Sequence, residues 1–150
     1  MNRALARDLI NKFVTESFRD ATTAVTGTPG ELRYQGIRPA TGVPLVPSND
    51  VYWARITVQT AAESQETLRC EGKRRFVTTG SVIVQMFFPT LDVNAQPNLD
   101  LITQRVNDDF RHYPSDKIEF TRSRVDDNIL AEPNWLRANL VSQFTYRQFT

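Results

Sequence analysis

Two runs of β-branched and aromatic residues place the strongest constraint on the fold of this 150-residue chain. The first run begins at Val51 with VYWARITVQT, and the second, FVTTGSVIVQMFF, ends at Phe88. The first run alternates apolar with polar residues, which is typical of a strand with one buried face. The second run is apolar on both faces, which predicts a central strand. Together the two runs predict an antiparallel hairpin. One face of the first run carries Tyr52, Ala54, Ile56 and Val58, and one face of the second carries Val82, Val84, Met86 and Phe88.

The polar segment AAESQETLRCEGKRR joins the two runs and is predicted to be a long hairpin loop over residues 61–75. A polar loop of this length inside a domain is usually functional or lacks a fixed structure. Its basic cluster of Lys73, Arg74 and Arg75 is the strongest local charge feature of the chain. They fit either a solvated loop tip or a contact with a partner or nucleic acid.

Two amphipathic helices are predicted, one on each side of the hairpin. Leu5, Leu9 and Phe13 recur at helical spacing, so a first helix is expected from about Arg3 to Phe18, ending near Asp20. A similar apolar stripe predicts a second helix from about Leu99 to Arg111. Asn98 is the expected N-cap of that helix.

The segment 27–50 is rich in glycine and proline and is predicted to be a long extended connection. Its four prolines remove backbone donors, so at most a short strand is expected, around Leu32 to Ile37.

Near the carboxyl end, alternating patterns predict a strand from Lys117 to Val125 and a long last strand over WLRANLVSQFTYRQF. The predicted fold is α+β in the order α-β-β-α-β-β, a single domain over residues 1–150. About four main strands form an antiparallel sheet, and both helices cover one of its faces. The other face is expected to be partly bare.

Composition and isolated reactive residues argue against an enzyme or a metalloprotein. With 18 basic and 17 acidic residues the formal charge is +1, so no global field attracts nucleic acid or an acidic membrane. Cys70 is the only cysteine, which excludes an internal disulfide and a cysteine-rich metal cluster. The lone His112, the adjacent Asp126 and Asp127, and Cys70 lack the partners that catalysis or metal binding would need. No cofactor is expected, and no membrane-spanning or signal segment is expected in the amino-terminal stretch.

The order of these elements resembles the tail-terminator (tail-completion) family of long-tailed bacteriophages. The resemblance rests on the helix Arg3–Phe18, the Pro-rich connection, and the Trp-bearing strand that begins Val51-Tyr52-Trp53. A polar tip follows, then an apolar strand ending in Phe87-Phe88-Pro89, a helix, and a closing strand pair. That pair finishes in an alternating aromatic run of Phe144, Tyr146 and Phe149. The long connection and the long hairpin tip depart from the family pattern.

The resemblance implies a structural virion protein at the head-proximal end of the tail. Copies would form a hexameric ring that caps the tail tube, stops its polymerisation and offers a surface to the neck or connector protein. The implied partners are therefore the chain itself, the tail tube protein and the neck protein, with no membrane and no specific nucleic acid. The expected contact residues are Arg69, Lys73, Arg74, Arg75, Arg137 and Arg147. A head-closure position in the neck of the same virion and a small nucleic-acid-binding module are the alternatives.

Overall fold

The computed structural model describes residues 1–68, 74–114, 116–126 and 134–149. These residues form two helices and five strands: α1 (Arg3–Thr26), β1 (Glu31–Tyr34), β2 (Trp53–Leu68), β3 (Arg74–Pro89), α2 (Ala95–Arg111), β4 (Ile118–Asp126) and β5 (Trp135–Phe149). The strands make one sheet in the order β1-β2-β3-β5-β4. The α+β class is confirmed. As predicted, the neighbouring strands β2 and β3, β3 and β5, and β5 and β4 pair antiparallel. The sheet is mixed, however, because the short β1 adds a parallel fifth strand beside β2.

β1 lies within the predicted connection and shows why a parallel strand forms there. It begins one residue before the predicted short strand and ends at Tyr34, after which Gly36 turns the chain with a φ of 78°. A parallel pair needs a connection of a dozen or more residues between its strands. The Gly/Pro-rich segment between β1 and β2 supplies that length without a helix.

α1 extends to Thr26, well beyond its predicted end near Asp20. The hydroxyl groups of the threonines in its last turns find hydrogen-bond acceptors within the helix. The hydroxyls of Thr22 and Thr26 donate to the carbonyls of Phe18 and Thr22 at 2.9 and 2.7 Å. Gly27 then ends the helix with a φ of 81°, in the left-handed region that favours glycine. The β-branched threonines therefore oppose the helix less strongly than Gly27 does.

α2 begins at Ala95, four residues before its predicted start. Pro97 lies in the first turn, where a backbone N–H has no partner inside the helix, so it does not prevent helix formation there. The residue at the N-cap is Asn94, and its side chain makes no capping hydrogen bond. The predicted N-cap, Asn98, instead donates from Nδ2 to the hydroxyl of Tyr52 at 2.9 Å.

The main core lies between the helices and one face of the sheet. The predicted face residues of both hairpin strands are confirmed, since Ala54, Val82, Val84, Met86 and Phe88 are all 0% exposed. Residues from both helices and from β4 and β5 join this cluster, among them Ile10, Val14, Phe18, Ile102, Val106, Phe110, Ile118, Leu140 and Phe144. Both helices therefore cover the same face. β3 has strands on both sides, as its two apolar faces predicted.

The predicted hairpin loop over residues 61–75 is wrong for most of its length. β2 continues to Leu68 and β3 starts at Arg74, and the two strands stay paired up to those residues. Backbone pairing needs no apolar side chains, so a polar sequence can continue a ladder already begun by an apolar one. The register shifts twice, between Thr60 and Ala62 and between Gln65 and Thr67, which is typical of β-bulges. Residues 69–73, including Cys70, lie outside the described part of the chain.

Candidate functional site

The face of the sheet that points away from the helices is a surface that a partner can reach at its centre. We call it the open face. It carries odd-numbered residues of β3 and β5 and the β2 residues paired with them. At its centre Thr57, Ile83 and Val141 are half-buried, and Gln59 and Gln143 beside them are exposed. A partly bare second face was predicted, and this central part fits that prediction.

One end of the open face is closed by an aromatic cluster. The rings of Trp53 and Phe87 are stacked with centroids 4.1 Å apart, and Trp135 meets Trp53 edge-on at 6.0 Å. All three side chains are buried. Leu45 and Val46 line the same surface cavity as Trp53, so the connection approaches the sheet at this end. This end of the open face is therefore covered, and the partly bare region is limited to the centre of the face.

Arg33 ties the connection to the sheet. Only 8% of this residue is exposed, and its Nε and Nη2 donate to the carbonyl of Pro44 at 3.1 and 3.0 Å. Its Nη1 donates to the carbonyl of Leu32 at 2.9 Å, and Glu31 pairs with its Nη2 at 2.9 Å. A buried guanidinium with these partners holds the long segment in place. An arginine in a four-residue edge strand gave no sequence signal of this role.

The described contact candidates lie at opposite ends of the sheet. Arg75 and Arg147 lie at the end of the sheet where β2 ends and β3 begins. Glu66 approaches both of them there, and its Oε2 is 2.7 Å from Arg75 Nε and 3.7 Å from Arg147 Nε. Arg74 is exposed at the same end. Arg137 pairs with Phe87 across β5 and β3, at the aromatic end. The predicted residues therefore do not form one cluster.

Two contact candidates, Arg69 and Lys73, and the carboxylate Asp127 lie outside the described part of the chain. The lone His112 is exposed, and its Nδ1 lies 2.8 Å from the carbonyl of Asp108 in the last turn of α2. In the described ranges, no group of three or more His, Cys, Asp or Glu side chains comes together as a metal site would require.

A hydrogen-bonded group links the start of β2 to the loop before α2. The hydroxyl of Tyr52 donates to Oδ2 of Asp92 at 2.5 Å and accepts from Asn98. Burial, together with the hydrogen bond to Asp92, raises the pKa of Tyr52 to about 12. The hydrogen bond from Tyr52, followed by one from the backbone N–H of Asn94, holds the pKa of Asp92 below its usual range. Sequence reasoning missed this group, because its members are far apart in the chain.

Apolar side chains are exposed around this same end of the sheet. Leu91 and Val93 are 76% and 94% exposed in the loop that follows β3, and Leu45 and Val46 are 70% and 54% exposed in the connection. β3 ends at Pro89 and Leu45 approaches Trp53, so both segments lie at the aromatic end. Contiguous exposed apolar patches mark interaction surfaces in soluble proteins, so these two loops are candidate parts of one.

No helix in the described residues is both long and apolar enough to cross a bilayer. No family model and no curated protein matches the chain. Solved structures do share its fold. One of them is 13% identical to this chain, with a TM-score of 0.56. The match covers 93% of this chain and 94% of that one. At this identity the likeness shows a common arrangement of helices and strands over nearly the whole of both chains.

Proposed function

We propose that this chain is a structural virion protein of a long-tailed phage that acts as a tail terminator. Copies of the chain form a hexameric ring that caps the tail tube, stops its polymerisation and presents a surface for attachment of the neck. The protein acts by binding at surfaces and carries out no reaction. It works at the head-proximal end of the tail after synthesis in the host cytoplasm.

The observation that carries this proposal is the uneven covering of the sheet. Both helices pack on one face, and the centre of the other face combines half-buried Ile83 and Val141 with exposed amides. A capping subunit needs separate surfaces for its sister copies and for the tube, because a ring contact and a tube contact are formed at the same time. The open face, the exposed apolar loops and the charged end around Glu66 are three such surfaces.

A basic module that binds nucleic acid receives less support from the same geometry. Glu66 lies beside Arg75 and Arg147, which lowers the local positive charge. The stacked rings of Trp53 and Phe87 are buried, so they do not offer a platform for bases. Tight binding to DNA at low salt that weakens as salt increases would favour this module over the terminator.

The terminator proposal is tested with tail tubes and purified protein. Added during tube polymerisation, the protein should halt growth, and electron microscopy should show one ring at a single end of each tube. Arg147→Glu reverses a charge at an exposed end of the sheet and should weaken capping. Lys12→Glu, an equal charge reversal at an exposed position of α1, is the matched control and should cap normally.

Three outcomes would reject a terminator role. Protein bound along the whole tube would argue against capping, and absence of any effect on tube growth would argue against a tail role. In purified virions, copies found only between portal and neck would instead place the chain in the head-closure position.

A further inference from the structure

A groove lies between the connection and the strands β1 and β2. Arg33 of β1 binds the carbonyl of Pro44, so the connection approaches the sheet here. Beside Trp53 and Arg55 of β2 this arrangement leaves a cavity of about 430 Å³. A second cavity of about 250 Å³ shares part of its lining. We call the two together the connection groove, which is lined by residues from the range 37–46 of the connection and by these residues of β1 and β2.

Aliphatic side chains of the connection line this groove and are exposed. Ile37, Leu45 and Val46 are each more than half exposed, although all three line the larger cavity. Val43 is also exposed and lines the smaller one. Exposed aliphatic groups on a concave surface favour a ligand that brings apolar side chains of its own.

Arginine is the only charged residue type among the described residues that line the connection groove. Arg33 is neutralised by Glu31, whose carboxylate lies 2.9 Å from its Nη2. Arg38 and Arg55 are exposed and have no ion pair within the part of the chain that the structure describes. Two positive charges without a matching negative charge favour a partner that carries an acidic group.

The side chain of Arg55 is held in position before any partner binds. Its Nε donates to Oε1 of Gln85 at 2.8 Å, and its guanidinium carbon lies 5.9 Å from the centroid of the Phe87 ring. Its two Nη groups form no hydrogen bond with the described residues. A planar guanidinium with two such groups can donate to both oxygens of one carboxylate. Because the side chain is already ordered, less entropy is lost when that contact forms.

A protein segment fits the connection groove better than nucleic acid does. Phosphates also pair with arginine, but single-stranded nucleic acid binds in addition by stacking its bases on exposed aromatic rings. The rings of Trp53 and Phe87 are stacked on each other at 4.1 Å and are buried. The apolar groups that the groove does expose are aliphatic, which suits apolar side chains rather than bases.

We propose that the connection groove binds a segment of a partner protein in which Asp or Glu lies beside apolar side chains. The carboxylate pairs with Arg38 and Arg55, and the apolar side chains pack on Leu45 and Val46. The inference goes beyond the proposed function, because it defines the chemistry of a partner and holds whether or not the protein caps tubes.

Selection from a ribosome-displayed library of random linear peptides tests the chemistry of the partner. The purified wild-type protein should enrich peptides in which Asp or Glu lies close to Leu, Ile, Val or Phe. The double variant Arg38→Glu/Arg55→Glu should not enrich them. An absence of enrichment on the wild type, or enriched peptides that lack an acidic residue, would overturn the proposal.

Single variants locate the binding of one labelled peptide of the enriched class, followed by fluorescence anisotropy. Arg55→Glu should weaken binding about tenfold or more, the loss expected for one hydrogen bond between charged groups. Arg55→Lys should weaken it less, because lysine keeps the charge without the planar fork. Leu45→Ser should also weaken binding. Arg124→Glu on β4 and Leu101→Ser on α2, both at exposed positions, are the matched controls and should bind like the wild type.

The remaining outcomes separate the proposal from other occupants of the groove. Circular dichroism and urea unfolding should show every variant folded, because the changed side chains are exposed. Unchanged peptide binding by Arg55→Glu would overturn the proposal. A single-stranded oligonucleotide that displaces the peptide would assign the groove to nucleic acid, and self-association abolished by Arg55→Glu in sedimentation velocity would assign it to a second copy. Either result would overturn the proposal, whereas peptide binding without tube capping would support it and contradict only the proposed function.

Discussion

Removing one hydroxyl from Tyr52 should cost stability in a way that depends on pH. Tyr52→Phe deletes the donor to Asp92 at 2.5 Å and the acceptor for Asn98 at 2.9 Å, without changing the packing of the ring. A hydrogen bond to a charged group contributes ~1.5 to 3 kcal/mol. Asp92 lies near the surface, where water competes, so we expect a loss of about 1 to 2 kcal/mol in the free energy of unfolding.

The direction of the pH dependence follows from the two pKa shifts. The pKa of Asp92 is lowered in the folded protein, so the stabilisation is present above the ordinary pKa of a carboxyl group and is lost as pH falls. The pKa of Tyr52 is raised from 10.0 to about 12, so the stabilisation is present below pH 10 and is lost as pH rises toward 12. The difference in the free energy of unfolding between wild type and Tyr52→Phe should therefore be largest between these two pH limits. It should become smaller at both more acid and more alkaline pH.

Urea unfolding followed by circular dichroism at several pH values measures this difference. Tyr113→Phe is the matched control, because the hydroxyl of the half-buried Tyr113 has no hydrogen-bond partner among the described residues; it should change stability little. A double-mutant cycle with Asp92→Asn should give a coupling energy of about 1 kcal/mol. A difference that stays constant across the pH range, or a control that loses as much as Tyr52→Phe, would refute the reasoning.

Further predictions concern the sheet and are measured by the same unfolding experiment. Gly80→Ala should destabilise by ~1 to 3 kcal/mol, because the new Cβ would lie 2.2 Å from the carbonyl oxygen of Gln59 and 2.5 Å from the Phe144 ring. An unchanged midpoint of urea unfolding would show that β2 and β5 move away from position 80 at little cost. Leu140→Ala, at a site that is 0% exposed, should cost ~2 to 5 kcal/mol by leaving a cavity. A smaller loss would mean that the core collapses around the site. Arg122 has a φ of 53°, so Arg122→Gly should relieve strain and stabilise by up to ~1 kcal/mol; a loss would show that the arginine side chain makes a needed contact.

The parts of the fold that could be predicted are those that depend on local periodicity. Alternation with a period of two placed Ala54 and Val84 on the buried face, because a pleated strand sends successive side chains to opposite sides. The helical stripe ending at Phe110 placed the end of α2 at Arg111. Boundaries were less accurate where a weak propensity opposed continuation, as at the threonines of α1, because tertiary packing outweighs a few tenths of a kcal/mol per residue.

The candidate site could be predicted only in part, because its contacts are long-range. The hydrogen bond from Asn98 to Tyr52 joins residues 46 positions apart, and nothing local marks either partner. The buried guanidinium of Arg33 and the stacking of Trp53 on Phe87 depend in the same way on strand register. The predicted loop over residues 61–75 failed for a related reason. Polar residues of β2 and β3 are held in the strands by backbone hydrogen bonds to the neighbouring strand. The periodicity of the sequence gives no sign of this pairing.

In the proposed ring, the strand order favours contacts through the edges of the sheet rather than through the helices. β3 lies at the centre of the sheet with strands on both sides. The apolar faces of the helices are buried in the core. The edge of β2 beyond the short β1 lies on one side of the sheet and the edge of β4 on the other, so contacts at the two edges need not compete for the same surface. The open face and the exposed loops then stay free for a different partner, such as the end of a tube. A subunit that uses its edges for its sisters and its face for the tube can bind both at once, which is what a cap on a growing polymer requires.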